Sequence, residues 1–185
     1  MNIPILNNFA IKHELDKADQ HHGYMQYYQV ILENLTPTHK HLLELGIHKG
    51  NSLRMWAEAL PDWEIYGLDN NSLRSCPDSY SELNIHQYIG SQNDLDIINK
   101  IFNDAGNFDV VVDDASHISP LTIDSFKLIA PRLHKDSIYV IEDLGVCERP
   151  ECNPYNFSVW QFLESIKNDY KIVQYNDEMV SIQGF

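Results

Sequence analysis

Acidic residues and one histidine follow two apolar runs of the sequence, and their types and spacing could support metal chemistry. They are Asp113, Asp114 and His117 after Val110-Val111-Val112, and Glu142 and Asp143 after Ile138-Tyr139-Val140-Ile141. Apolar runs of this kind are typical of buried strands in a parallel sheet, where ligands bind at the carboxyl ends of the strands. Carboxylates crowded there repel one another unless a cation lies between them. The pattern therefore predicts a metal site with an imidazole base beside it.

The expected ligands of this site are oxygen atoms. Oxygen ligands favour magnesium, manganese or calcium over zinc, and magnesium keeps coordination positions for water and substrate, so we expect Mg²⁺. Side chains alternate along a strand, so Asp113 should point away from Asp114 and either support the metal ligands from behind or have a structural role. The alternatives are an acidic loop in an acidic protein for Glu142-Asp143, and a histidine satisfied by local hydrogen bonds for His117.

The elements that must position these residues alternate between strand and helix. The first ordered element is expected to be a helix over 24–34, because Tyr24, Tyr27, Tyr28 and Ile31 recur at helical spacing. Ser119 is expected to cap a later helix, with Pro120 in its first turn. Strands are predicted over 41–45, 63–69, 85–89, 108–114 and 137–143, with helices marked by Leu53, Trp56, Ala57 and Leu60, by Ile98, Ile101, Phe102 and Ala105, and by Phe126, Ile129, Ala130 and Leu133.

The end of the sequence departs from this alternation. A helix over 159–167 precedes two strands, 171–175 and 178–183, that only Asn176-Asp177 separates. So short a link joins only antiparallel strands. The predicted fold is α/β: a doubly wound, mostly parallel, seven-stranded sheet that ends in an antiparallel hairpin, which is the arrangement of the Rossmann-like methyltransferases.

Composition limits the classes of function. The 185 residues favour a single domain, and the formal net charge of -14 disfavours a nucleic-acid partner. No apolar stretch is long enough for a membrane span, and the first residues do not resemble a secretory signal, so we expect a cytoplasmic protein without a membrane partner. The cysteines Cys76, Cys147 and Cys152 lack a CxxC spacing and are interpreted as reduced thiols.

Two glycines follow the first predicted strand and suggest a ligand-binding turn. Gly46 and Gly50 allow close approach of the backbone, but His48 and Asn51 replace glycines of the dinucleotide fingerprint G-x-G-x-x-G. Asp69 ends the second strand, 23 residues after Gly46, where a carboxylate usually binds ribose hydroxyls. A nucleoside cofactor without a pyrophosphate fits best, and a purely structural role of the two glycines and of Asp69 stays open.

Three motifs and the N-terminal segment carry a family resemblance. They are LLELGIHKGNSLRMW (42–56), FDVVVDDASH (108–117), IYVIEDL (138–144), and Asp16-Lys17 followed by His22-Gly23-Tyr24 and Tyr28. This set resembles the metal-dependent sugar O-methyltransferases of macrolide biosynthesis, of the mycinamicin and macrocin type, which share a family with the cephalosporin hydroxylases. The resemblance covers nearly the whole chain, although the macrolide enzymes have an additional N-terminal region.

The resemblance implies a role for each matching residue. It implies that Glu44, Gly46 and Asp69 bind S-adenosylmethionine, that Asp114, Glu142 and Asp143 hold Mg²⁺, and that His117 is the general base. Where the family commonly has an acid near the adenine, this chain has Ser91 and Gln92. The expected cofactor contacts are Glu44, Gly46, Gly50, Asp69, Ser91, Gln92 and Asp114.

The first hypothesis is therefore a magnesium-assisted O-methyltransferase that acts on a hydroxyl of a small molecule or sugar. It forms one methyltransferase domain, with a helical entry segment over 1–36 and a Rossmann-like core over 37–185. His22 and Tyr24 are candidate cofactor or substrate contacts. The alternative is a noncatalytic S-adenosylmethionine-binding partner subunit, while a nicotinamide-dependent oxidoreductase lacks its phosphate fingerprint. The sequence leaves open whether the chain forms a homo-oligomer.

Overall fold

The computed structural model describes residues 3–71 and 84–185, and within them a seven-stranded sheet organises the chain. The strands are β1 His41–Leu45, β2 Glu64–Asp69, β3 Ile85–Ile89, β4 Val110–Asp113, β5 Ile138–Ile141, β6 Lys171–Gln174 and β7 Val180–Gln183. Their order across the sheet is β3-β2-β1-β4-β5-β7-β6. Strands β1 to β5 are parallel, and β7 runs antiparallel to both β5 and β6. This is the predicted Rossmann-like methyltransferase arrangement.

Helices cover both faces of the sheet. They are α1 Leu6–Lys12, α2 Met25–Asn34, α3 Asn51–Ala59, α4 Leu95–Ala105, α5 Ser119–Ile129, α6 Leu144–Cys147 and α7 Val159–Ile166, with a 3-10 turn at Ala130–Arg132. In the described residues, no helix has the length and apolar character that crossing a membrane requires.

The apolar runs form strands because both of their faces are buried. Val110 and Val112 pack with Trp56 and the N-terminal helices on one face of the sheet. Val111 packs with Phe126 on the opposite face. A strand with apolar neighbours on both sides has no polar face, which explains why the sequence shows no alternation there.

Three sequence expectations need correction. The first ordered element is α1, which begins at Leu6, and not the helix near Tyr24. Helix α1 has only seven residues and buries only Leu6 and Ala10, so the sequence shows too few apolar repeats to indicate a helix there. Ser119 is not the cap of α5, because Ile118 holds that position and the Ser119 hydroxyl donates to the carbonyl oxygen of Cys147 (2.8 Å). Pro120 does lie in the first turn.

The third correction concerns the hairpin. The link between β6 and β7 spans 175–179, which is longer than the predicted Asn176-Asp177, and the amide of Tyr175 donates to the carbonyl oxygen of Met179 across it (3.0 Å). The antiparallel pairing of the two strands is confirmed. The prediction of a reduced thiol at Cys76 concerns a position outside the described residues, whereas Cys147 and Cys152 are free cysteines.

Candidate active site

The carboxyl ends of the central strands β1, β4 and β5 meet at one edge of the sheet. Leu45 of β1 is in register with Asp113 of β4, and Asp113 with Ile141 of β5. The residues that follow these strands therefore lie side by side around a cavity of about 460 Å³. Of the predicted site residues, the cavity is lined by Gly46, Asp69, Ser91, Gln92, Asp114, His117 and Asp143.

The turn after β1 is built around two glycines with left-handed backbone. Gly46 has φ +96° and Gly50, which precedes α3, has φ +74°. Asp69 fixes this turn, because its Oδ2 accepts the amide hydrogens of Ile47 (2.9 Å) and His48 (3.1 Å). The carboxylate thus holds the turn in shape while one edge of it faces the cavity.

Gly46 also lies directly against the turn that carries the acidic residues. A Cβ atom at Gly46 would lie 2.1 Å from the carbonyl oxygen of Asp114 and 2.9 Å from the Cα of Ala115. Both are backbone atoms, so neither can rotate out of the way. The two turns are therefore packed as one unit, which only glycine at this position permits.

Gly46→Ala is expected to destabilise the protein by about 2 kcal/mol more than the control Gly106→Ala in urea unfolding, because it adds overpacking to backbone strain. Gly106 also has a positive φ (+85°), but a Cβ there would meet nothing within 4 Å. Equal losses of unfolding free energy in the two variants would contradict the close packing of the two turns.

Three side chains that could bind a metal converge at the acidic end of the cavity. Nε2 of His117 lies 3.8 Å from Oδ1 of Asp114 and 3.6 Å from Oδ2 of Asp143, and one donor atom from each residue lies within 4.8 Å of the others. His117 and Asp143 both have φ +55°, a backbone conformation that costs free energy outside glycine and is frequent at functional sites. Two carboxylate oxygens and an imidazole at these separations can hold a hard divalent cation or accept a proton.

A buried lysine neutralises the carboxylates behind this group. Nζ of Lys17 lies 2.6 Å from Oδ2 of Asp114, 2.5 Å from Oε2 of Glu142 and 3.5 Å from Oε1 of Glu44. Burial by itself lowers the pKa of Lys17, but the charges of Asp114, Glu142 and Glu44 raise it well above its ordinary value. Lys17 is therefore a charged group enclosed by three acids.

Sequence reasoning placed Lys17 in a family motif but gave it no role. Its loop precedes α2, 97 residues before Asp114, so no spacing along the chain indicates the contact. The amides of Tyr24 and Met25 donate to the Lys17 carbonyl oxygen, which holds the loop against α2. The available signal was its charge, because a lysine can neutralise acids and the motifs around Asp114 and Glu142 are acidic.

Glu44 and Glu142 lie deeper than the cavity wall. Burial raises the pKa of Glu44 to about 7, and the charge of Lys17, whose Nζ lies 3.5 Å from Oε1 of Glu44, opposes the shift. Burial also raises the pKa of Glu142, whose Oε2 accepts from Lys17 and whose Oε1 accepts from the hydroxyl of Tyr28. Both oxygens of Glu142 are therefore bonded within the protein, and the residue is not part of the converging group.

Asp113 faces away from Asp114, in agreement with strand alternation. Its carboxylate accepts from the Tyr139 hydroxyl (2.9 Å) and the Gln92 amide (3.3 Å), and burial raises its pKa to about 7. The Gln92 amide also donates to Ser125 Oγ, and its oxygen accepts from the amide of Ser116. The Gln92 side chain thus holds the turn after β4, and the role of Gln92 as a cofactor contact stays a prediction.

Of three further predicted contacts, Ser91 lines the cavity, whereas His22 and Tyr24 are outside its lining. Ser91 is exposed and its hydroxyl donates to Oδ1 of Asn93 (2.8 Å). The rings of His22 and Tyr24 are stacked, with centroids 5.4 Å apart, and the Tyr24 hydroxyl donates to Oδ1 of Asp143 (2.6 Å). Tyr24 thus contacts Asp143 of the converging group directly, whereas the sequence indicated Tyr24 only as a cofactor or substrate contact.

Comparison with known proteins identifies relatives for most of the chain. No family model matches it. The chain is 30% identical over 152 residues to 8-demethyl-8-(2-methoxy-alpha-L-rhamnosyl)-tetracenomycin-C 3'-O-methyltransferase of Streptomyces olivaceus, in an alignment that covers 78% of the chain and 38% of the relative. It is 31% identical over 154 residues to mycinamicin VI 2''-O-methyltransferase of Micromonospora griseorubida, covering 80% of the chain and 38% of the relative. The chain thus spans less than half the length of these relatives.

The fold is also found among solved structures. The MycE methyltransferase from the mycinamycin biosynthetic pathway, solved in complex with Mg, SAH and mycinamycin VI, superimposes with a TM-score of 0.84. The match covers 99% of the chain and 55% of the solved chain, at 24% sequence identity. This similarity supports the assignment of the fold.

Proposed function

Because this chain is a homologue of one part of the macrolide and tetracenomycin sugar O-methyltransferases and has the Rossmann-like methyltransferase fold, we propose that it transfers a methyl group from S-adenosylmethionine to a hydroxyl group, assisted by Mg²⁺. The observation that carries the proposal is that a glycine turn and the converging group of Asp114, His117 and Asp143 face the same cavity. The glycine turn offers a place for the nucleoside and the converging group a place for the acceptor.

The residues around the cavity fit both S-adenosylmethionine and Mg²⁺. The turn at Gly46 has a backbone that only glycine allows, and Asp69 at the end of β2 borders the same cavity, as expected for a nucleoside contact. Oδ1 of Asp114 and Oδ2 of Asp143 converge, and oxygen donors suit Mg²⁺. Glu142, the third predicted ligand, already has both oxygens hydrogen-bonded, one to Lys17 and the other to Tyr28, and it does not line the cavity.

The proposed chemistry divides between the bound groups and the protein. When bound, S-adenosylmethionine would supply the methyl group, and Mg²⁺ would lower the pKa of an acceptor hydroxyl. Asp114 and Asp143 would hold the cation and thereby position the acceptor hydroxyl. Nε2 of His117 lies within 4 Å of both carboxylates, so it can accept the proton that a hydroxyl between them releases. Asp69 and Gly46 would orient the methyl donor, because they shape the turn that borders the cavity.

The proposed acceptor is a sugar hydroxyl. The relatives are named as O-methyltransferases of a rhamnosyl tetracenomycin and of mycinamicin VI, and MycE was solved with mycinamycin VI. Neighbouring hydroxyls of a sugar offer two oxygen atoms to one cation, which suits a site that holds its cation through few protein ligands. The alternative of a noncatalytic subunit is less well supported, because Asp114, His117 and Asp143 lie together as catalysis would require.

We also propose that the N-terminal helices form one domain with the core. Leu6, Ala10, Tyr28 and Leu32 are fully buried in the hydrophobic cluster that contains Val110 and Val112 of β4. Lys17 further joins the segment between these helices to the acids of the site. Residues 1–36 are thus proposed as part of a single unit over 1–185 and not as a separate module.

The test is a transfer assay with S-adenosylmethionine labelled in the methyl group and acceptors that carry neighbouring sugar hydroxyls. We expect label in an ether product and release of S-adenosylhomocysteine with Mg²⁺, and at least a hundredfold less with EDTA, because metal activation of a hydroxyl contributes several kcal/mol. Equal rates with and without EDTA would contradict the metal role. Tight cofactor binding without transfer to any acceptor would favour the noncatalytic alternative.

A further inference from the structure

Two residues of the N-terminal segment each bind one oxygen of a converging carboxylate. Nζ of Lys17 binds Oδ2 of Asp114 (2.6 Å), and the hydroxyl of Tyr24 donates to Oδ1 of Asp143 (2.6 Å). The other oxygen of each carboxylate faces Nε2 of His117, at 3.8 Å for Asp114 Oδ1 and 3.6 Å for Asp143 Oδ2. Each carboxylate is thus divided into an oxygen held by the protein and an oxygen directed into the site.

Tyr24 is well suited to fix the orientation of Asp143. Its side chain is almost completely buried, with a residue exposure of 1%, so the hydroxyl has little freedom to move. Its amide donates to the carbonyl oxygen of Lys17 (3.0 Å), which ties the two carboxylate-binding residues to each other. Asp143 itself is only partly buried and has a left-handed backbone, so its side chain depends on such contacts for a single orientation.

We propose that Tyr24 is a positioning residue for the metal site: by binding Oδ1 of Asp143, it directs Oδ2 of Asp143 toward Oδ1 of Asp114. Lys17 has the corresponding effect on Asp114, because it binds Oδ2 and leaves Oδ1 directed into the site. This inference rests on the proposed function, which supplies the metal. A hydrogen bond to one oxygen leaves the lone pairs of the other free for a cation and removes the free rotation of the carboxylate. Partners that orient ligands in this way commonly affect metal affinity as well as activity.

The test is Tyr24→Phe, measured by titration with Mn²⁺ alone and followed by its electron paramagnetic resonance signal. The variant retains the buried ring and loses only the hydroxyl, so the urea midpoint and the affinity for S-adenosylmethionine should stay unchanged. The affinity for Mn²⁺ should fall about tenfold, the lower end of the range for such partners. A residue that only supported the fold would change the urea midpoint and not the metal affinity alone.

The matched control is Tyr27→Phe, which removes a tyrosine hydroxyl from the first turn of α2. The Tyr27 ring contacts the Tyr175 ring (centroids 5.2 Å apart), and, unlike the Tyr24 hydroxyl, the Tyr27 hydroxyl has no hydrogen bond to Asp143 among the described residues. Its Mn²⁺ affinity should equal that of the unaltered protein. Unchanged affinity in Tyr24→Phe, or an equal loss in Tyr27→Phe, would overturn the positioning role. Failure of the unaltered protein to bind Mn²⁺ would instead overturn the metal part of the proposed function, and the inference with it.

Discussion

Asp114→Asn is expected to lower the rate of methyl transfer about a thousandfold, because it removes a charged ligand from a metal site that contributes several kcal/mol to the transition state. Asparagine has nearly the same shape and still offers an oxygen to Lys17, so the turn should keep its conformation. The affinity for S-adenosylmethionine should therefore change only slightly. The measurements are kcat in the transfer assay and calorimetric titration of the cofactor.

The control is Asp136→Asn, an exposed residue before β5 at the opposite end of that strand from the site. Its kcat should match that of the unaltered protein. An Asp114→Asn variant that retained most of its magnesium-dependent rate would exclude Asp114 from the chemistry. A variant that lost cofactor affinity in the same proportion as kcat would instead place Asp114 mainly in the cofactor site.

Lys17→Met is expected to lower the free energy of unfolding by about 3–5 kcal/mol, the cost of leaving a buried charge without its partner. Methionine fills a similar volume, but Glu142 and Asp114 lose a cation that lies within 2.6 Å of each, and Glu44 loses the charge nearest to it. Glu142 and Glu44 are almost fully buried, so water replaces the ammonium group poorly. Urea unfolding followed by circular dichroism measures the loss.

The control for Lys17→Met is Lys12→Met in α1, whose ammonium group pairs with Glu58 at the surface and is 61% exposed. That change should cost less than about 1 kcal/mol. Adding Glu142→Gln to Lys17→Met should recover part of the lost stability, because it removes one of the stranded acids. Equal small losses for the two lysines, or no recovery in the double variant, would show that Lys17 does not balance the buried acids.

The sheet could be predicted largely because its central strands have a simple physical signature. Val110–Val112 and Ile138–Ile141 are apolar on both faces, and the acids directly after them mark where each strand leaves the core. The same reasoning brought Asp114, His117 and Asp143 to one edge, and the structure places them together. The edge strands were also found, but the link of the last hairpin was predicted too short, since its residues do not by themselves fix a turn type.

The remaining features depend on contacts between distant parts of the chain. Lys17 and Tyr28 meet Glu142 only after the N-terminal helices pack on the sheet, and no local pattern indicates a contact between Lys17 and Glu142, which are 125 positions apart. The sequence therefore predicted the same role, that of a metal ligand, for Glu142 and for Asp143. In the structure, Glu142 is directed inward to Lys17, whereas Asp143 faces the cavity and His117.

The most direct test of the central claim is calorimetric titration of the protein with S-adenosylmethionine, with NAD as the comparison ligand. The glycine turn, Asp69 and the adjoining cavity predict one equivalent of bound S-adenosylmethionine and no measurable heat from NAD, because the phosphate fingerprint is missing. Binding of NAD in place of S-adenosylmethionine, or no binding of S-adenosylmethionine with Mg²⁺ or with EDTA, would contradict the proposed methyltransferase function.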